Sequence, residues 1–391
     1  MEDFKLSDVL ERYVIEMRRD FHRHPELSLA EVRTSGIVRE ELEKFGIPYE
    51  IVGDQNVIGI LDFGGEGSLA IRADMDALPI REETDVAWKS ENEGIMHACG
   101  HDGHTAILLG VARVLSEQKA ALDIELDGKV YLCFQQAEEA AGGAQPIVEF
   151  LKEKGGVDHA ICIHLMSVQE SGTIDISEGL RANGACLFQV EITGVGGHGS
   201  QPDRVVNVLE IACDVYQHLI KIPVNHHDSN RPCVVSPCTI HAGNRFNVFP
   251  DKAYIEGTIR YSNRGDGDVL QKKVTETAEK IAALYGGKAH VTFEAFAMSP
   301  IINDKKSSEI GAAAGRAAGF EVVCGAGTAG SDNFCEFLDI APGFYALVGS
   351  ASSREGTSGV HHTANFDLDE SVLGKTVLFF CECTKRFLNK Q

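Results

Sequence analysis

Hydrophobic and polar positions follow two different rhythms along the chain. In the first, short β-branched runs end on polar residues, at Leu69–Asp74, Val130–Phe134 and Ala160–His164. Helical spacing of apolar residues over Ala106–Leu115 and Ala144–Lys154 separates them. Such alternation predicts an α/β sheet with parallel strands, whose ligands gather beyond the carboxyl ends of the strands. Asp74, Asp76, Glu138, Glu139 and His164 all fall there. From about Cys186 the rhythm becomes strand (Leu187–Thr193), helix (Val205–Ile222), strand (Cys233–His241), strand (Ala253–Tyr261), helix (Gly267–Tyr285) and strand (Ala289–Ala295). That order, βαββαβ, is the ferredoxin-like unit. Helix-then-strand sequence resumes after it from Ile301, with Tyr345–Val348 as a further buried strand. Residues 185–297 therefore read as an inserted α+β domain, and 1–184 with 298–391 as one discontinuous α/β domain.

Composition agrees with two domains, because 391 residues exceed one ordinary core and 43% are hydrophobic. The 36 basic and 58 acidic residues leave a net charge of -22. That charge repels phosphate backbones and anionic lipid, which excludes nucleic acid and the membrane surface as partners. Met1–Lys5 runs into charged residues without an apolar stretch, and no later segment is long enough to span a bilayer, so a cytoplasmic protein is expected. Eleven cysteines, an odd number scattered from Cys99 to Cys383 without framework spacing, read as reduced core thiols. Cys381 and Cys383 lie two apart on a helical stretch and point away from each other.

Candidate chemistry concentrates in His97-Ala98-Cys99-Gly100-His101-Asp102-Gly103-His104, directly ahead of an apolar helical stretch. Thiolate and imidazole donors in one short loop suit zinc, manganese or another first-row ion. Glu138 and Glu139 follow the strand Val130–Phe134, and two like charges at a strand-end crevice need a cation. One natural division of labour is Glu139 as metal ligand and Glu138 as general base. His164 at a strand end and His362 near the C-terminus complete a set of Cys99, His101, Glu139, His164 and His362. Five donors exceed one tetrahedral ion, so two ions sharing a water is the better count.

These residues resemble the two-metal aminoacylase and carboxypeptidase family, in particular its amidohydrolase branch of hippurate hydrolases and hydrolases of indole-acetyl amino acids. Arg18-Arg19-Asp20-Phe21-His22-Arg23-His24-Pro25-Glu26-Leu27-Ser28 is similar to the branch's N-terminal signature, Arg72–Pro79 to its next motif, and Met96–His104 to its metal loop. The resemblance implies a mixed-sheet catalytic domain of aminopeptidase type with a ferredoxin-like lid. It implies the same five metal ligands for two divalent ions, manganese or zinc, with cobalt or nickel as alternatives, and Glu138 as acid/base. Asp76 would orient a ligand from behind. Gly194–Pro202 looks like the family's lid motif, whose His198 would steady the oxyanion in a partner subunit, so a homodimer or higher homo-oligomer is implied. Asn247–Asp251 and Gly257–Arg260 resemble the stretch that holds the substrate's carboxylate, which nominates Asn247 and Arg260.

The chain departs from the family where Gln136 replaces a usual Pro, where Ser331-Asp332-Asn333-Phe334 replaces a Glu-Asp pair, and where Asp203 replaces a frequent His. None is a ligand or the base, so the departures bear on substrate preference. His362 stands four residues before Phe366, the spacing of the branch, and is preferred to His361. The implied reaction is hydrolysis of an N-acyl-L-amino acid, acetyl, benzoyl or another aryl-acyl conjugate, to a carboxylic acid and a free amino acid. A dipeptidase or carboxypeptidase of the same fold stays open, as does a catalytically silent binding protein for acyl amino acids or peptides.

Overall fold

The structure, a computed structural model, describes residues 6–121, 126–294, 298–328, 330–357 and 359–389. Met1–Lys5 and Ala295, on which two sequence expectations fall, lie outside them. The chain divides into two compact units, one of residues up to Arg181 with Ile302–Gly327 and the stretch from Asp332, the other of Ala182–Ile301 with Thr328–Ser331.

The first unit is built on an eight-stranded mixed sheet, in the order Tyr49–Val52, Asn56–Asp62, Lys129–Gln135, Ser68–Asp74, His159–Met166, Gly343–Gly349, Thr173–Asp175 and Glu321–Val323. Its centre is parallel: Ser68–Asp74 pairs in parallel with both Lys129–Gln135 and His159–Met166, and the latter with Gly343–Gly349. Antiparallel pairings toward the margins make the sheet mixed. The central strands read as unbroken apolar runs because both faces are covered, as in Gly343–Gly349, where every residue is buried.

Three helices pack together over this sheet: Asp8–Arg23, His101–Ala121 and Ser371–Phe387. Asp8–Arg23 is started by Ser7, whose hydroxyl accepts the Leu10 N–H at 3.2 Å, and buries Leu10, Val14 and Phe21 on one face. His101–Ala121 is buried on all sides over its first three turns. Close approach there depends on Gly110, where a Cβ would stand 2.7 Å from Val377 and 2.9 Å from Val14. One expectation shifts here: the helix starts at His101, so the end of the His97–His104 run is its first turn rather than a loop before it. Gly100, at φ 94°, makes the sharp entry, and its carbonyl accepts the Gly103 and His104 N–H groups at 2.9 and 3.1 Å.

The second unit carries a four-stranded antiparallel sheet in the order Cys233–Ala242, Lys252–Tyr261, Gly184–Thr193, Lys288–Phe293. The helices Val208–Leu219 and Asp266–Leu284 follow the first and third strands in sequence, which gives the βαββαβ order. Val190, Ile192, Ile211, Val215, Ile255 and Val274 form a core of its own. The first helix is shorter than its apolar pattern suggests. Asn207 caps it by accepting the Leu209 N–H, and Pro223 falls in a separate turn, Ile222–Asn225.

Candidate active site

Strand ends in the first unit deliver the polar residues. Asp74 closes its strand beside Gln135, the last residue of the neighbouring one, and Asp76 and Glu138–Glu139 follow just beyond. His164 stands near the end of His159–Met166, opposite Leu347. Cys99 and His101 flank the Gly100 turn. His362 adopts φ 60°, and its N–H donates to the Ala98 carbonyl at 2.8 Å, which fixes it beside the Cys99 segment.

These side chains converge. The ligand atoms of Cys99, His101 and His164 lie within 4.8 Å of one another, as do those of Cys99, Glu139 and His362 and those of His101, Glu138 and Glu139. Cys99 Sγ is 3.5 Å from His164 Nε2, and Glu139 Oε1 is 3.2 Å from His362 Nε2 and 4.0 Å from His101 Nε2. His101 Nε2 and Glu139 Oε1 are buried yet make no hydrogen bond. Buried polar atoms left so cost about 1–3 kcal/mol each, and the surrounding sulfur, imidazole nitrogen and carboxylate oxygen are the donor set of a first-row cation.

The electrostatics sort these groups by role. Burial, with His104 and His361 nearby, holds His164 well below the ordinary imidazole range, which keeps its ring neutral. Burial also works against charge on His101, but Asp74, Cys99 and Asp76 outweigh it and hold its pKa well above the usual value. Burial pushes the Cys99 thiol up, a shift that a coordinated cation would reverse. Burial and then Asp332 push the Glu138 carboxyl well above the usual range, against the opposing Arg72. A carboxyl so placed can both take and return a proton.

Behind the donors lies a buried polar frame. Asp76 Oδ1 is 3.1 Å from His101 Nδ1, which is also 3.0 Å from the Asp76 carbonyl, while Asp76 Oδ2 accepts the Glu139 N–H at 2.9 Å and the Ser28 hydroxyl at 2.7 Å. His104 sits 2.6 Å from Asp74 Oδ1 through Nδ1 and accepts the Leu165 N–H at 3.0 Å through Nε2, so both its nitrogens are committed. Those of His361 are too, to the Leu165 carbonyl at 2.9 Å and Ser167 Oγ at 3.3 Å. Fully buried Arg72 donates to Asp74 at 2.6 Å, Asn333 at 2.8 Å and Gln135 at 2.9 Å. Asp102, next to His101, is held by Arg18 at 2.8 Å and His22 at 2.7 Å.

The second unit places the three remaining candidates. His198 is exposed on a two-residue strand paired with Val248–Phe249, and the Gly199 N–H donates to the Asn247 carbonyl at 2.9 Å, so His198 and Asn247 are neighbours. The Ser200 N–H donates to His198 Nδ1 at 3.2 Å, which leaves the ring proton of the neutral form on Nε2. Arg260 is half-buried and donates to Thr258 Oγ1 and to the Ile259 carbonyl. It pairs with Ala185, whereas Lys252 at the other end of the same strand pairs with Thr193. Eight residue steps of strand, about 26 Å, therefore separate Arg260 from the end from which the His198 segment leaves.

Sequence reasoning passed over His104 as a bridging residue, the Arg72–Asp332–Asn333 cluster and the contacts of Ser28. His104 was visible inside the His97–His104 run; the others carry no spacing signal, because their partners are distant in sequence.

Residues 70–386 match the model of peptidase family M20/M25/M40. The chain is similar to thermostable carboxypeptidase 1 of Saccharolobus solfataricus, 33% identical over 390 residues and 97% of each chain. It is similar also to the N-acetylcysteine deacetylase of Bacillus subtilis, 34% identical over 94% of this chain and 95% of that one. Among solved structures, the Bacillus subtilis YXEP protein, described as a dinuclear metal-binding peptidase of the M20 family, superposes with a TM-score of 0.82 at 31% identity, covering 97% of this chain and 98% of that one. With the mixed sheet, the separate βαββαβ unit and the convergent donors, these matches establish that the chain belongs to peptidase family M20/M25/M40 and is a hydrolase of that family.

Proposed function

We propose that the protein is a metal-dependent amidohydrolase that splits N-acyl-L-amino acids into a carboxylic acid and a free amino acid. In this reading Cys99, His101, Glu139, His164 and His362 hold two divalent cations, manganese or zinc, in a catalytic domain formed by residues 1–184 and 298–391. The observation that carries it is the convergence of these five donors, with His101 Nε2 and Glu139 Oε1 buried close to one another and without a hydrogen bond. His362 is favoured over His361 because both nitrogens of His361 are already engaged.

Bound there, the ions would polarise the scissile carbonyl and acidify the attacking water. Glu138, its carboxyl held high by burial and Asp332, takes the water's proton and delivers it to the departing amine nitrogen. Asp76 keeps the His101 proton on Nδ1 and so leaves Nε2 as the ligating atom. The segment 185–297 serves as lid and dimerisation domain. From it His198, with its proton on Nε2, would donate to the oxyanion across a homodimer, an interaction of about 3 kcal/mol. Asn247 and Arg260 would meet the substrate's carboxylate; the length of strand between them suits contributions to different copies of the site.

The deacetylase relative supports an N-acyl substrate, and the carboxypeptidase relative, equally similar, supports a peptide as the second reading. Chelator-stripped protein would be assayed on N-acetyl-amino acids, N-benzoyl-amino acids and dipeptides, before and after adding manganese, zinc or cobalt. Metal-restored cleavage of the acyl amino acids is expected. Cleavage of peptides alone would install the second reading, and saturable binding without cleavage under every ion would leave a binding protein. Glu138→Gln is expected to keep both metals and lose turnover; an active variant removes the base assignment.

A further inference from the structure

The turn that carries Glu138 and Glu139 is held by its backbone. It leaves the strand at Gln135 with Ala137 at φ 54°, a left-handed conformation that a Cβ disfavours. Three N–H groups of the turn point into buried side-chain oxygens: Gln136 into Asn56 Oδ1 at 2.8 Å, Ala137 into Glu31 Oε1 at 2.7 Å, and Glu139 into Asp76 Oδ2 at 2.9 Å. Asp76 lies within the part of the chain that matches the family model, which begins at residue 70. Glu31 and Asn56 lie before it.

Glu31 is the unusual member. It is completely buried, its Oε2 has no hydrogen-bond partner, and its carboxyl engages backbone N–H groups, its own and that of Ala137. A carboxylate buried with one oxygen left unsatisfied is a poor way to stabilise a core. It is a direct way to fix the residue immediately before Glu138, because the Ala137 N–H sets the peptide plane from which Glu138 departs.

We propose that Glu31 is a positioning residue for hydrolysis, acting through the Ala137 N–H to aim Glu138 and Glu139 into the donor cluster. The inference rests on the reading of Glu138 as proton carrier. What matters is the reach of the Glu31 oxygen: if it withdraws, the turn loses its acceptor and relaxes, and a misplacement of about 1 Å at the reacting groups costs about a hundredfold in rate.

The test compares Glu31→Gln with Glu31→Asp in the full-length, metal-loaded protein, with Glu138→Gln alongside. The amide keeps an acceptor at the same reach without the charge; the aspartate keeps the charge but withdraws the oxygen by one methylene. Glu31→Gln is expected to hold kcat within about threefold, whereas Glu31→Asp lowers kcat about 30- to 100-fold with KM changed less than about twofold. Amide exchange at Ala137 in the metal-free protein reads the contact without any turnover. It should be slow in wild type and Glu31→Gln and faster in Glu31→Asp. The reverse order of kcat would show that charge, not reach, matters and would overturn the proposal. So would equal kcat per metal-loaded site in all three proteins, with loss appearing only as less folded material. An active Glu138→Gln would instead remove the base reading by itself, and the Ala137 exchange would still report whether Glu31 holds the turn.

Discussion

Replacing Asp76 by Asn tests whether the frame behind the donors governs metal binding. The two Asp76 oxygens face three donors: His101 Nδ1 at 3.1 Å on one side, and the Glu139 N–H at 2.9 Å and Ser28 hydroxyl at 2.7 Å on the other. An asparagine offers one oxygen. Turned toward Glu139 and Ser28, it presents its NH2 to His101 Nδ1, which then favours the ring form with the proton on Nε2, the nitrogen needed for a cation. Turned the other way, the NH2 can donate to the Ser28 hydroxyl but faces the Glu139 N–H and leaves it without its acceptor. The Asp76 carbonyl, 3.0 Å from His101 Nδ1, survives the substitution and continues to support the correct form. Loss of such an outer partner costs about 10- to 100-fold in metal affinity or activity. The surviving carbonyl places Asp76→Asn in the lower half, about 10- to 30-fold or about 1.4–2 kcal/mol. Titration of zinc into chelator-stripped protein against a competing fluorescent chelator measures this directly. Wild-type affinity and stoichiometry in the variant would refute the reasoning.

Three further substitutions probe the surroundings. Arg18→Met leaves buried Asp102 with His22 but without its guanidinium; the Asp102 carboxyl is held far below its usual range because Arg18 and His22 overcome the opposing effect of burial. It should cost about 3–5 kcal/mol in denaturant melts at neutral pH. Because a depressed carboxyl stabilises the fold only above its unfolded pKa, the gap should narrow as the pH falls below about 4, and a gap constant with pH would reject the pairing. Glu31 behaves with the opposite sign: burial raises it from an ordinary 4.5 to about 7, so the wild-type fold loses stability as pH rises through that interval. Glu31→Gln should therefore be the more stable protein at pH 8 by up to about 3 kcal/mol and equal to wild type near pH 4, as thermal melts across that range would show. Gly143 sits at φ 80° with room for no Cβ, which would fall 2.0 Å from the Gln136 carbonyl. Gly143→Ala should lose about 1–3 kcal/mol and disturb the Glu138 turn, lowering kcat more than it raises KM; unchanged melting and turnover would show that the turn is not constrained there.

Much of the architecture was legible in the order of residues. Apolar runs ending on Asp74, Gln135 and His164 mark parallel strands, because a strand covered on both faces must be apolar throughout and can turn polar only where it leaves the sheet. The same rule put Asp76, Glu138, Glu139 and His164 at one edge before any contact was known, and the βαββαβ order of the inserted segment followed from periodicity alone. Tertiary structure decided what periodicity cannot carry. His361 and His362 are adjacent in one turn, and only the left-handed backbone of His362, tied to the Ala98 carbonyl, and the engaged ring of His361 distinguish them. Asn247 and Arg260 read as one stretch in the chain, yet strand pairing sets Arg260 far from the end where His198 leaves. Glu31 and Asn56 reach the Glu138 turn across 106 and 80 positions of sequence. A local pattern encodes which face of an element is buried; which distant N–H a buried carboxylate accepts is settled only when the elements pack.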